Sequence, residues 1–446
     1  MAPTSCLVKG VFSCAILANL ISHSHGSILR IDHLNNQENN YPLKDIEDCP
    51  YPYPTAQFRN TDEKLRREYT SMFQNVQRKY SDELAPETFV RSTDMFTSLP
   101  EGKFVFWGSA ERGVLEMSLY NSEKFIESET GNGGKGVTWR FVDPHKKDFN
   151  TIKKSFTLTG DYVAFVALKF EVFAHFFLDS LGYIAYLREV TDPSTRFLFA
   201  DVGESSKSRL VMLDPEFASR VDWIQCDKAF DCNQFVNIRN GSLTIMRPVS
   251  GTRHMSLLLK ARQWILEANP PKQKSLEERT IVYYTRNADN AGHGRAMDLT
   301  QEHIMLDIIK HNMDRYGRNE RLVIFDGKQS FEEQIDIFQS ANIVIGAHGG
   351  GLANLIFLLP AASCEIRPKV LEFLTNELTP DVQRGALGKT YFNLYSTCPW
   401  AEYHHVFYIP PSTEETTYID LQEFEDAVRL ILGGEQPFPA VSSRTI

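Results

Sequence analysis

The chain has 446 residues, 42% of them hydrophobic and 23% charged, which is enough for two domains with buried cores. A formal net charge of -10 and a pI near 5.7 argue against general nucleic-acid binding, which favours basic surfaces, so no nucleic-acid partner is expected. Beyond the N-terminus no run is long and apolar enough to span a bilayer as a helix.

Residues 1–25 carry one Lys at position 9 and an apolar run from Val11 to Ile21. That run is short for a bilayer span and fits the core of a signal peptide or a short signal-anchor, so the segment offers secretory entry and a route to membrane anchoring. The alternative is an N-terminal tail with an apolar patch. Residues 26–86 are polar, with prolines in YPYPT, and read as a stem or linker. A short strand at Phe104–Trp107 precedes Gly131-x-Gly133-x-x-Gly136, which has the letters of a dinucleotide fingerprint. IESET precedes it where a buried strand is required, and Val137–Phe141 alternates as a strand does, so the segment reads as a hairpin loop.

From Tyr162 strands and helices alternate. Strands are predicted at 162–168, 196–200 and 221–225, with two short ones within 235–246, and helices at 171–190, 205–213 and 254–268. Asn269–Pro270–Pro271 marks a domain boundary, giving one α/β domain over 87–270 and a second over 271–418. The second block repeats the rhythm, with strands at 280–285, 321–326, 342–345, 363–366 and 391–394. Its helices are predicted at 299–316, 331–340 and 352–359, and a last helix at 421–432 lies in a tail spanning 419–446. Two blocks of alternating strands and helices predict an α/β fold with two parallel sheets. Ligands in such folds bind off the carboxyl ends of the strands.

The stretch Asn342–Pro360, NIVIGAHGGGLANLIFLLP, is the most informative. Strand, glycine turn and helix leave free N–H groups and a positive dipole end facing one point, which suits phosphate. Three glycines, Gly349, Gly350 and Gly351, would let a ligand approach the backbone. The HGGG letters also occur in lipase oxyanion loops, but that chemistry needs a G-x-S-x-G nucleophile elbow and the chain has none. Arg286 ends a strand, where a guanidinium suits a diphosphate; Arg295 follows nine residues later. Glu365 lies where a carboxylate could accept from both hydroxyls of a ribose, and Asn354 could support the same ligand or simply pack. His175 and Asp179 sit four apart in an aromatic helix, as a general base with its orienting carboxylate or as core residues.

No Asp-x-Asp occurs to hold a divalent ion, so no metal or cofactor is expected, and arginines with a helix N-terminus would carry the diphosphate charge instead. Asn240–Gly241–Ser242 is a glycosylation sequon. Cys226, Cys232, Cys364 and Cys398 are candidates for disulfides, with connectivity that spacing does not specify.

The run from Phe331 to Pro368, FEEQIDIFQSANIVIGAHGGGLANLIFLLPAASCEIRP, resembles the C-terminal signature of glycosyltransferase family 61. Thr285–Arg286 resembles the family's strand ending in Ser/Thr-Arg, and HFFLD at 175–179 its H-x-x-x-D element. The resemblance implies a GT-B-like fold, two Rossmann-like domains facing a central cleft, and an inverting, metal-independent transfer. The sugar, xylose, arabinose or N-acetylglucosamine, would pass from a UDP-sugar to a glycan or glycoprotein hydroxyl in the Golgi or ER lumen. It also implies that Arg286, His348, Gly349 to Gly351 and Glu365 line the donor site. Gly350 replaces the family's usual Ala, and the 287–297 stretch and the Pro360–Ala361–Ala362 turn depart from its pattern. A non-catalytic luminal binding protein that keeps the fold is the alternative.

Overall fold

The computed structural model describes residues 96–99, 102–109, 114–119, 125–129, 138–142, 152–165, 173–201, 204–225, 234–246, 255–270, 279–286, 296–359, 368–375, 401–409 and 418–433. The N-terminal segment, the stem, the four candidate cysteines, Arg295, Glu365 and the strands expected at 363–366 and 391–394 lie outside those residues.

The first parallel sheet has the order β1 (Phe96–Leu99), β11 (Leu243–Met246), β7 (Tyr162–Phe165), β8 (Arg196–Asp201), β9 (Val221–Gln225), with β1 antiparallel at its edge. Beside it stands a four-stranded mixed sheet that periodicity did not anticipate. Its order is β3 (Val114–Leu119), β2 (Gly102–Ser109), β10 (Gln234–Arg239), β6 (Ser155–Thr159). The expected pair of strands across 235–246 therefore divides between two sheets at the Asn240 turn. β4 (Phe125–Glu129) and β5 (Thr138–Val142) pair antiparallel across the Gly131–Gly136 segment, which makes it the hairpin its flanking pattern implied.

The second parallel sheet runs β13 (Arg321–Phe325), β12 (Thr280–Tyr284), β14 (Ala341–Ala347), β15 (Lys369–Thr375), β16 (Glu402–Ile409), with β17 (Tyr418–Ile419) antiparallel. Its central strands read as continuous apolar runs because both faces are covered. Ile281, Tyr283, Ile343, Ile345 and Leu371 point to one face, under helices α5 (Leu299–Arg315) and α7 (Leu421–Gly433). Val282, Val344 and Val370 point to the other. There they join one apolar core with α1 (Phe173–Val190) and α4 (Met255–Ala268), which flank the first sheet, so packed side chains run without interruption from Val163 to Val370.

Helix α1 is built of Phe173–His175, a π turn at Phe176–Ser180, and Leu181–Val190. Its first turns meet the second half of the chain through aromatic rings. Phe177 lies 5.5 Å from Phe331 and 5.3 Å from Phe357, centroid to centroid, and Phe173 lies 6.4 Å from Phe331. Phe331 opens α6 (Phe331–Gln339), which starts five residues after β13, and Phe357 ends the helix that follows β14. The segments leaving the carboxyl ends of β13 and β14 thus meet the beginning of α1.

Candidate functional site

The strand expected to break at Gly346 continues to Ala347, and the following helix is a 3₁₀ helix at Gly350–Phe357, not an α-helix beginning at Leu352. Both shifts have one cause. Gly346 sits in the ladder beside Tyr284, where a Cβ would lie 2.6 Å from the tyrosine Cβ. At Gly351 a Cβ would meet the Tyr284 ring at 2.6 Å, and at Gly349 it would meet the Arg286 guanidinium at 2.5 Å. What these glycines admit is therefore the protein's own Tyr284 and Arg286. Gly350 differs: nothing lies within 4 Å of its Cβ position, and it is the exposed glycine of the three.

The tight turn leaves polar backbone groups to be placed. Gly351 N–H points to the Tyr284 hydroxyl at 3.3 Å, and Leu352 N–H donates to the Gly349 carbonyl. The N–H groups of Gly349 and Gly350 have no acceptor among the described residues. They are the orphan donors that an anion at a helix start would take. Asn354 is fully buried, and its amide donates to the Gly351 carbonyl at 2.8 Å. It closes the turn, the packing alternative of the two roles expected for it. From the first half, Arg262 on α4 donates to the Ile356 carbonyl at 2.5 Å and ties down the far end of the 3₁₀ helix.

His348 lies inside the turn, 8% exposed. Its N–H donates to Phe373 O, extending the β14–β15 ladder by one bond. Its Nδ1 lies 2.7 Å from Oε1 of Glu372, a carboxylate with no exposed surface. Parallel register puts Glu372 opposite Gly346, two residues before His348 and on the same side of the sheet. A carboxylate at Nδ1 fixes the orientation of the imidazole ring. This buried carboxylate was absent from the sequence reading, which assigned the acidic role to Glu365. One signal was available: a lone Glu inside the apolar run Val370–Leu374.

Arg286 follows β12 and donates through Nη1 to the His348 carbonyl. It makes no ion pair among the described residues, so the rest of its fork is open to an anion. The residue before it is locked: Thr285 Oγ1 donates to the buried Glu302 Oε1 at 2.7 Å, joining the strand end to α5. The Arg286 carbonyl accepts from Met297 N–H, which pins the far end of the intervening loop. Burial, followed by the nearby Glu302 carboxylate, holds the Tyr283 hydroxyl well above its usual pKa, so that buried ring stays neutral.

In the first half, His175 is half-buried at the end of the opening turn of α1, and this turn packs against the 3₁₀ helix. Asp179 falls within the π turn. Asn240 is exposed in a left-handed conformation, φ 52°, at the turn between β10 and β11. Among the described residues no group of three or more His, Cys, Asp or Glu side chains could hold a metal ion, and no helix is long and apolar enough to cross a membrane.

Residues 173–364 match the family model described as Glycosyltransferase 61. The match begins with Phe173 at the start of α1 and takes in Arg286 and the whole His348–Phe357 turn. No curated protein matches the chain. Among solved structures, one similar chain is the bacterial iron-containing dodecameric glycosyltransferase TibC from enterotoxigenic E. coli. The two are 11% identical, over 62% of this chain and 74% of that one, with a TM-score of 0.24.

Proposed function

We propose that this chain, a glycosyltransferase belonging to glycosyltransferase family 61, transfers a sugar from a UDP-sugar to a glycan or glycoprotein hydroxyl with inversion and without a metal ion. The observation that carries this reading is the Arg286 guanidinium, docked on the His348 carbonyl and against Gly349, with no carboxylate partner among the described residues. That is a preformed site for a diphosphate. The two parallel sheets would form the two halves of a GT-B-like enzyme, with donor held off β12 and β14 and acceptor on the α1 side. Xylose, arabinose and N-acetylglucosamine are the donor sugars to test, and a secretory-pathway lumen is the expected setting.

In this mechanism the acceptor oxygen attacks the anomeric carbon in line. The bond from that carbon to the β-phosphate oxygen breaks and its electron pair leaves with UDP. His175 or Asp179 takes the acceptor proton. Arg286 and the Gly349 and Gly350 amides stabilise the charge that grows on the leaving diphosphate, a contribution of roughly 3–4 kcal/mol for one well-placed donor. His348, held by Glu372, positions Arg286 through its backbone carbonyl.

Thermal stability with UDP, in buffer with and without EDTA, tests the reading. UDP should raise the melting temperature equally in both. Arg286→Ala should keep the apo melting temperature, lose the UDP shift and lose about 10²–10³-fold in turnover. Stabilisation that disappears with EDTA would exclude the metal-independent mechanism, and an unimpaired Arg286→Ala would remove that residue from the site.

A further inference from the structure

Arg209 on helix α2 (Glu204–Leu213) is placed differently from every other arginine that is at least partly buried among the described residues. The others donate to a carboxylate, an amide or a carbonyl oxygen, as Arg188 does to Asp214 and Arg262 to Ile356. Arg209 has no such acceptor. Its Nη1 is shielded from solvent without a hydrogen bond, and its guanidinium carbon lies over two rings, 5.0 Å from the centroid of Phe173 and 5.5 Å from that of Phe176. Burial alone lowers its pKa, to about 10, with no neighbouring carboxylate to offset the effect. Ring faces stabilise the cation but are weak acceptors, so the desolvated Nη1 lacks a full hydrogen bond. In a chain of net charge -10, that is an unusual place to leave a cation without an acid.

The position of the rings gives this gap a function. Phe173 touches Phe331, and the turn it opens, which includes His175, packs on the 3₁₀ helix beyond His348. Arg209 therefore stands, on the first-sheet side, beside the rings that join the two halves. We propose that Arg209 is an acceptor subsite for an acidic sugar, its guanidinium fork receiving the sugar's carboxylate and the Phe173 and Phe176 rings fixing its position. The planar fork matches a carboxylate bidentately, whereas the phosphates of the donor already have Arg286 on the other side. This inference rests on the glycosyl-transfer reading of the junction and adds the class of acceptor.

Saturation-transfer NMR with methyl β-D-glucuronide and methyl β-D-glucoside tests it without requiring turnover, alongside a UDP titration of the same samples. The wild-type chain should bind the glucuronide about tenfold more tightly than the glucoside, the change expected for one charge-assisted contact. Arg209→Gln should erase that preference while the UDP affinity stays as in wild type. Arg209→Lys, which keeps the charge and the ring contact, should retain the fold and only part of the preference, and it serves where the Gln variant does not fold. Equal binding of the two sugars by the wild type, or a full preference in either variant, overturns the proposal. Failure of the wild type to bind UDP would instead sink the donor-site reading, and the sugar preference would still judge Arg209.

Discussion

The two parallel sheets present their functional ends in different ways. On the second sheet the end is locked by polar contacts: Glu372 to His348, Arg286 to the His348 carbonyl, Thr285 to Glu302, and Tyr284 filling the space beside Gly346 and Gly351. On the first sheet the corresponding end is a run of aromatic rings interrupted by a π turn, with Arg209 held only by ring faces. A cradle held by directional bonds has its geometry before the ligand arrives, as transition-state stabilisation of a diphosphate requires. An end held by rings defines a shape and leaves hydrogen bonding to an incoming molecule. The difference suits a fixed leaving group on one side and a carbohydrate acceptor on the other.

That contrast can be broken most severely through its apolar hinge. Phe177 is fully buried and touches Phe331 and Phe357, so Phe177→Ala should cost about 3–5 kcal/mol of stability in chemical denaturation. A loss below 1 kcal/mol would mean that the halves are not joined there. Next in size is Gly349→Ala, whose methyl would occupy the place of the Arg286 guanidinium. Displacing that group should cost most of what Arg286→Ala costs, about 10²-fold in kcat. Glu372→Gln keeps the shape but removes the charge that orients the His348 ring. Turnover should fall about tenfold to 100-fold in steady-state assays, whereas a packing role would leave it within about twofold of wild type. The smallest effect belongs to Gly350→Ala. Its Cβ meets nothing within 4 Å, so activity and stability should stay within about threefold and 0.5 kcal/mol of wild type. A Gly350→Ala variant as damaged as Gly349→Ala would refute the distinction between the filled and the open glycine.

The neighbourhood of His348 shows how far residue patterns could reach. Apolar runs at 280–284 and 342–345 identified central strands, because a strand covered on both faces needs no polar alternation. The three glycines identified a special turn, and Ser/Thr-Arg at a strand end identified the cation. The reason for the glycines was misread. Letters alone do not tell whether a missing Cβ makes room for a ligand or for Tyr284, 67 residues from Gly351. The four-stranded sheet was missed for a similar reason: β10 takes its partners from β2 and β6, far away in the chain, and no local period records such pairings.

By itself the sequence determined the alternation of strands and helices, the resemblance to glycosyltransferase family 61 through the segment around HGGG, and the special turn there. These follow from local rules, hydrophobic period and turn chemistry, which act over a few residues. Only the tertiary structure decided that Glu372 serves His348, that Gly350 alone of the three loop glycines is open, that Asn354 closes the turn, and that Arg209 is left without an acceptor. Each of these depends on which distant side chain fills a given volume or supplies a given hydrogen bond, and strand register and helix packing settle that.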